Sequence, residues 1–403
     1  MVTDSIPGLQ KQLDGLSCFG KDNQALVNDV KTKIMAFGNT KDEIIVHYNG
    51  KQIEQVYKYK YVGNIMAHIK NINGDVFSQH YEYVCQKGRQ AVFTLYRNIR
   101  ELGILPPSVM LHLFEALIKP ILTYGSEIWG VYKTGTDSVD KVLLWFLKWI
   151  LKVKSNTSTA IVYGEAGYIP LSVLCHCNVF AFYHRVRNLP DDRIVKQAFT
   201  ALYKLSEQGF PTWITKVWKL AKEYNIDINN TTEHNYKLYY KNLVTDYFKH
   251  SWHMKINDTV SNPLLRTYKM FKLHFERELY LDQVKDFRYR NAITRLRTSS
   301  HTLEIERGRH RRPKICVENR LCLMCKSVED ERHFLIDCLL YDEQRQCLFS
   351  KIITKDDTFC HLSGEDKFIY LLTSGDQQIL TWVGKFIYRS FEQREIYISK
   401  HTK

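Results

Sequence analysis

Cys322-Leu-Met-Cys325 is followed after seven residues by His333 and after four more by Cys338. Three cysteines and one histidine supply four donors, and the Cys-x-x-Cys pair lets two sulfurs reach one metal ion across a tight turn. The set reads as a structural zinc centre. All four positions are filled by the chain, so such a centre holds structure and activates no water, and no catalytic metal is expected. The competing reading is a pair of buried thiols beside an incidental histidine.

The residues just before this group are strongly basic. Between Phe287 and Arg320 lie Arg288, Arg290, Arg295, Arg297, Arg307, Arg309, Arg311, Arg312, Lys314 and Arg320 against Glu304, Glu306 and Glu318, a net +7 out of the chain's formal +14. Three thiolates and one Zn²⁺ sum to −1, so contacts to phosphate must come from these cations and not from the metal. Arginine dominates, and its planar fork suits phosphate oxygens. Arg288, Arg290, Arg295, Arg297, Arg307, Arg309, Arg311, Arg312 and Lys314 are therefore the candidate nucleic-acid contacts. The alternative is that they pair with Glu304, Glu306 and neighbouring helices, as basic runs commonly do.

The chain that must position these groups has 403 residues, long for one core, so two or three domains are expected. A hydrophobic content of 44% with 13% aromatics rules out a disordered tail. A sequence pI near 9.1 points to a polyanionic partner. The ten cysteines are irregularly spaced and no signal-like segment lies near Met1, which suggests a reducing, intracellular compartment, nucleus or cytoplasm. The sequons at Asn156, Asn229, Asn230 and Asn257 are then chance matches. The apolar runs from Leu143 to Val153 and from Leu171 to Tyr183 are too short and interrupted to span a bilayer, so no membrane is expected.

Leu9, Leu13, Leu16 and Phe19 have the spacing of one helical face, with a stop near Gly20. Glu43 to His47 and Val56 to Tyr61 read as short strands, separated by turns at Asn39 and Asn49-Gly50. From Asp75 the period becomes helical. A long helix runs towards Leu102 with Gly103 as its stop, and Pro107 opens a second helix through Leu117 that Pro120 kinks or ends. Asp137 or Ser138 caps a third, carrying Val142, Leu143, Trp145, Phe146, Trp149, Ile150 and Val153. Residues 155–170 interrupt the pattern, and a further helical region carries Trp213, Trp218 and Trp252, aromatic residues that either stack on bases or, more commonly, form core.

These stretches, in this order, resemble the C-terminal part of a reverse transcriptase of non-LTR (LINE-type) retrotransposons. Asn28 to Gly38 resembles the motif after the family's active-site hairpin, and Tyr59-Lys-Tyr61-Val62-Gly63 the hairpin that follows, near the primer. Tyr124-Gly125-Ser-Glu127-Ile-Trp129 is similar to the thumb signature, and Tyr163-Gly164-Glu165-Ala-Gly167-Tyr-Ile-Pro170-Leu171 to the connector beyond it. Arg295-Leu-Arg297, His301, Ile305-Glu306 and Gly308-Arg309 lead into the Cys/His group, with Tyr341 and Arg345 after it, as such proteins end. The resemblance implies a mainly α fold with a small N-terminal α+β remnant (a helix plus short antiparallel strands) and a small C-terminal zinc-knuckle module. It divides the chain into a palm remnant with a primer-grip-like hairpin (1–70), a three-helix thumb-like domain (71–155), a helical linker region (156–285), the arginine-rich stretch and Cys/His knuckle (286–350) and a helical tail (351–403).

Nucleotidyl transfer needs two metal ions held by carboxylates on a palm sheet. The family's paired aspartates would lie upstream of Met1, and neither Asp191-Asp192, in a turn after a proline, nor Asp356-Asp357, beyond the knuckle, replaces them. The expectation is thus a truncated segment that binds RNA or a primer–template without polymerising, its partners RNA, DNA, the missing N-terminal half or a retroelement ribonucleoprotein. Two alternatives stand beside it. One is part of an active RNA-directed DNA polymerase whose N-terminal half the gene model lacks; the other is a helical interaction protein that binds no nucleic acid.

Overall fold

Two tight turns shape the N-terminal part of the chain. Asn49 and Gly50 (φ +48° and +78°), and Val62 and Gly63 (φ +44° and +85°), are successive left-handed residues, the geometry whose twist suits a two-residue hairpin loop. They join β1 (His47–Tyr48) to β2 (Lys51–Gln52) and β3 (Lys58–Tyr61) to β4 (Asn64–Ala67). Both pairs are antiparallel, with Lys58 opposite Ala67 and Tyr61 opposite Asn64 in the second. The computed structural model describes residues 1–38, 43–69, 74–229 and 235–401; Asn39 and Asn230 of the sequence reading lie outside them.

The chain is otherwise helical, 64% of it, as expected. In order come α1 (Ile6–Asp22), α2 (Ser78–Ile99), α3 (Pro107–Leu117), α4 (Lys119–Thr123), α5 (Ser126–Trp129), α6 (Lys133–Leu151), α7 (Thr159–Ala166), α8 (Leu171–Arg187), α9 (Ile194–Glu207), α10 (Trp213–Glu223) and α11 (Tyr236–Asn257). There follow α12 (Tyr268–Phe271), α13 (Tyr280–Gln283), α14 (Phe287–Arg297), α15 (Glu304–His310), α16 (Asp342–Lys355), α17 (Gly364–Thr373) and α18 (Gln377–His401). No single helix among the described residues is long and apolar enough to cross a membrane.

These elements form two compact units, each assembled from three separate segments, where the sequence suggested consecutive domains. One comprises Met1–Gly88, Ile121–Val139 and Leu174–Lys241; the other Arg89–Pro120, Asp140–Val173 and Asn242–Lys403.

In the first unit the Ser5 hydroxyl caps α1 by accepting from the Gly8 amide, and Leu13 packs with Ile34, Val46, Tyr48 and Ile53. Leu9 and Leu16 flank that cluster, but Phe19 is 59% exposed. The helical period carries the buried face from Leu16 to Gly20, and α1 continues to Asp22. Farther along, Tyr124 donates its hydroxyl proton to the Val62 carbonyl at 2.9 Å, and the Trp129 indole donates to the Tyr124 carbonyl at 2.8 Å. The thumb-like signature therefore braces the hairpin turn. Trp213 and Trp218 donate their indole N–H groups to Ile128 and Tyr183, the behaviour of packing residues.

In the second unit Phe114 of α3 lies against Phe146 of α6, ring centroids 4.7 Å apart, and Trp252 is buried with its N–H on the Ala160 carbonyl. Helices α14 and α18 meet at backbone distance. A Cβ on Gly384 would come within 2.9 Å of the Tyr289 carbonyl oxygen.

Candidate metal centre and the arginines around it

The Cys-x-x-Cys turn is built by backbone hydrogen bonds. Cys322 donates to the Ser327 carbonyl at 2.8 Å and Lys326 to the Cys322 carbonyl at 3.0 Å, with Lys326 left-handed at φ +57° to close the loop. His333 and Cys338 are brought together differently. Residues His333–Asp337 make one π-helical turn, and the Cys338 amide donates to the His333 carbonyl at 2.8 Å. The four-residue spacer between histidine and cysteine is the length such a turn needs.

The donor atoms of Cys322, Cys325, His333 and Cys338 all lie within 4.8 Å of one another, a group that can hold a metal ion. Cys338 Sγ is 3.8 Å from Cys322 Sγ and 3.7 Å from Cys325 Sγ. The His333 Nδ1 faces the Ser327 hydroxyl at 3.3 Å, while its Nε2 is buried with no hydrogen-bond partner. An orphaned buried nitrogen beside three sulfurs is what a metal ligand looks like without its metal. The hydrogen bond between the close thiols pulls the Cys322 thiol down and pushes that of Cys338 up.

The residues after the group hold its backbone. Arg345 is buried, donating its Nε to the Leu335 carbonyl at 3.0 Å and an Nη to the Cys338 carbonyl, and Tyr341 packs on Phe334 with ring centroids 4.9 Å apart. A second support was not legible in the sequence. Glu331 accepts from Arg266 at 2.5 Å and lies 2.9 Å from His301 Nε2, while Glu329 takes both arms of Arg394.

The nine candidate cations separate into two sets. Arg297 is a correction: it is buried, with Nε 2.9 Å from Glu165, Nη2 2.7 Å from Glu278 and Nη1 on the Leu372 carbonyl, and it lies over the Phe271 ring. Arg290, 4% exposed and bonded to the Val284 carbonyl, is a second correction. Both guanidinium groups are consumed inside the unit and cannot reach phosphate. Arg309 is held mostly inside by Glu306 at 3.1 Å. Arg288, Arg295, Arg307, Arg311, Arg312 and Lys314 are exposed.

Pairing at the surface is incomplete. Arg288 meets Asp286 at 2.7 Å, but Glu304 is the one carboxylate shared by Arg307 (3.4 Å), Arg311 (3.1 Å) and Arg394 (3.7 Å). A cavity of about 450 Å³ lies there, with Arg307, Arg311, Met324 and Tyr397 in its wall.

The connector-like motif is explained by the same interior. Glu165, fully buried, bonds Arg297 and accepts from the Tyr280 hydroxyl at 2.9 Å. Burial pushes its carboxyl up, and Arg297 pulls against that. At Gly167 (φ +56°) a Cβ would lie 2.1 Å from the Arg277 amide nitrogen, so no other residue fits. The aspartate pairs stand apart from any such network. Asp356 caps a short turn through Thr358 and accepts from Tyr370, and Asp191 and Asp192 are exposed.

The chain matches no protein-family model, and a comparison with curated proteins found none similar to it.

Proposed function

We propose that the chain is a nucleic-acid-binding protein of the non-LTR reverse-transcriptase type, in which Cys322, Cys325, His333 and Cys338 hold a structural Zn²⁺ and the exposed cations before them grip the phosphates of RNA or DNA. The observation that carries the reading is the single Glu304 carboxylate shared by the exposed Arg307 and Arg311, followed in the chain by exposed Arg312 and Lys314, while Arg394 is already matched by Glu329. Positive charge fixed in place and left in excess attracts a polyanion.

Zinc fits the donor set. Tetrahedral sites with metal–sulfur bonds of about 2.3 Å have sulfur–sulfur edges of roughly 3.8 Å, and the sulfurs here lie 3.7 and 3.8 Å apart. Bound zinc would supply local folding energy, since ligands and fold form together. Support for the kinship comes from the motif residues, because Tyr124, Trp129, Glu165 and Gly167 each meet a specific backbone or buried-charge requirement. The reading assigns binding, and no nucleotidyl transfer, to these residues.

The test is a variant with Arg307, Arg311, Arg312 and Lys314 changed to Ala. If all four reach phosphates, the log–log salt dependence of binding should flatten by about three, evenly across sequences and with metal content unchanged. A folded, zinc-replete variant that binds with the parent's affinity and salt slope overturns the reading.

A further inference from the structure

A cavity of about 550 Å³ opens at the start of α7, lined mainly by hydroxyl, amide and ammonium groups. Ser158 stands at the cap position, but its hydroxyl accepts from the Asn262 side chain at 3.1 Å and makes no bond to the helix. Thr159 and Ala160, which begin the helix, line the cavity, and no side chain caps the first-turn amides. An independent sign comes from Thr157. It is only 6% exposed and lines the same cavity, yet its hydroxyl has no hydrogen-bond partner among the described residues.

The charges around the cavity favour an anion. Lys148 Nζ donates to the Ser155 carbonyl at 2.5 Å, which leaves two of its three protons free, and Lys255 has no acidic partner among the described residues. Asp258 also lines the cavity, but its Oδ1 is turned to the Ser261 amide at 3.0 Å. The loop is held ready by the Trp252 indole on the Ala160 carbonyl. Asn156 lies 3.4 Å from His310 Nε2, which ties the loop to the turn that carries Arg311 and Arg312.

We propose that this cavity binds a phosphate group. The first-turn amides of α7 and the Thr157 hydroxyl donate to its oxygens, and Lys148 and Lys255 balance its charge. The inference rests on the nucleic-acid reading only for the source of the phosphate, which is a diester of a bound strand or else a free phosphate.

The experiment titrates the full chain with inorganic phosphate and, separately, with a short single-stranded RNA, in the parent and in Thr157→Val and Lys255→Gln. Thr157→Val keeps the shape and removes a hydroxyl without a partner, so it should fold and melt like the parent. Each variant should weaken phosphate binding about tenfold, the usual effect of losing a hydrogen bond to a charged group. A parallel loss of RNA affinity assigns the site to the strand's backbone, whereas RNA affinity left intact assigns it to a free phosphate. If the parent binds no inorganic phosphate, or both variants bind it equally well, the site is refuted whatever the arginine variant does. If phosphate binding falls as expected while the arginine variant keeps its RNA affinity, the site stands and the nucleic-acid reading fails.

Discussion

Arg297 has lost its water, and two carboxylates and a backbone carbonyl replace it. Arg297→Ala would leave Glu165 and Glu278 without their guanidinium, and removal of one partner from a buried ion pair costs about 3–5 kcal/mol. Arg295, exposed and bonded only to the Lys152 carbonyl, should change stability by less than about 0.5 kcal/mol on conversion to Ala. Urea midpoints of the two variants measure the difference, and equal midpoints would contradict the assignment. No reading of α14 alone separates these residues. Arg288 and Arg295 repeat at seven residues, and so do Arg290 and Arg297, the two pairs set on opposite faces of the helix. What sends Arg297 inward is Glu165, 132 positions away, together with Glu278, while Arg290 turns in to the Val284 carbonyl. The Cys/His group was legible because its ligands are close in sequence and few side chains substitute for them.

At the scale of elements, the π turn of the Cys/His group is anchored by buried Phe334 and Leu335, but the Cys322–Cys325 loop presents Leu321 and Met324 to solvent, so the order of that loop should depend on the metal. We expect about one zinc per chain, and its removal by a chelator should open residues 321–341 to amide hydrogen exchange, because site formation and local folding are one event. Protection in α14 and α18, which pack through Gly384, should persist. Unchanged exchange across the knuckle after metal loss would show that Arg345 and Tyr341 suffice to hold it. Helix α6 begins at Lys133, before the expected cap, and the Ser138 hydroxyl bonds back to the Thr134 carbonyl at 2.6 Å, an arrangement of helix interiors. The hairpin expected at Tyr59–Gly63 is present as Lys58–Tyr61 paired with Asn64–Ala67, but alternation alone does not show its second strand, because Val62, a β-branched residue at φ +44°, hides the turn before it. Asn49-Gly50 carries the turn signal openly and was found.

At the scale of the molecule, each unit gathers segments far apart in the chain, which no local composition shift announces. Acid should test the first unit through one residue. Burial pushes the His176 imidazole down to about 4, and its Nδ1 lies 2.7 Å from the Tyr224 hydroxyl, within the same unit. An unfolded histidine titrates near 6.5, so as pH falls below that value the unfolded chain takes up a proton that the folded one refuses. The neutral imidazole's contribution is thus fully present above about pH 6.5, declines through the interval and is lost below about pH 4. The whole effect is at most about 3 kcal/mol. His176→Gln keeps hydrogen-bonding capacity and does not titrate. Amides of α8 and α10 should therefore lose protection between pH 6.5 and pH 4 in the parent and keep more of it in the variant, as followed by hydrogen exchange. If parent and variant lose protection in parallel across that interval, His176 is not the group that makes the first unit acid-sensitive.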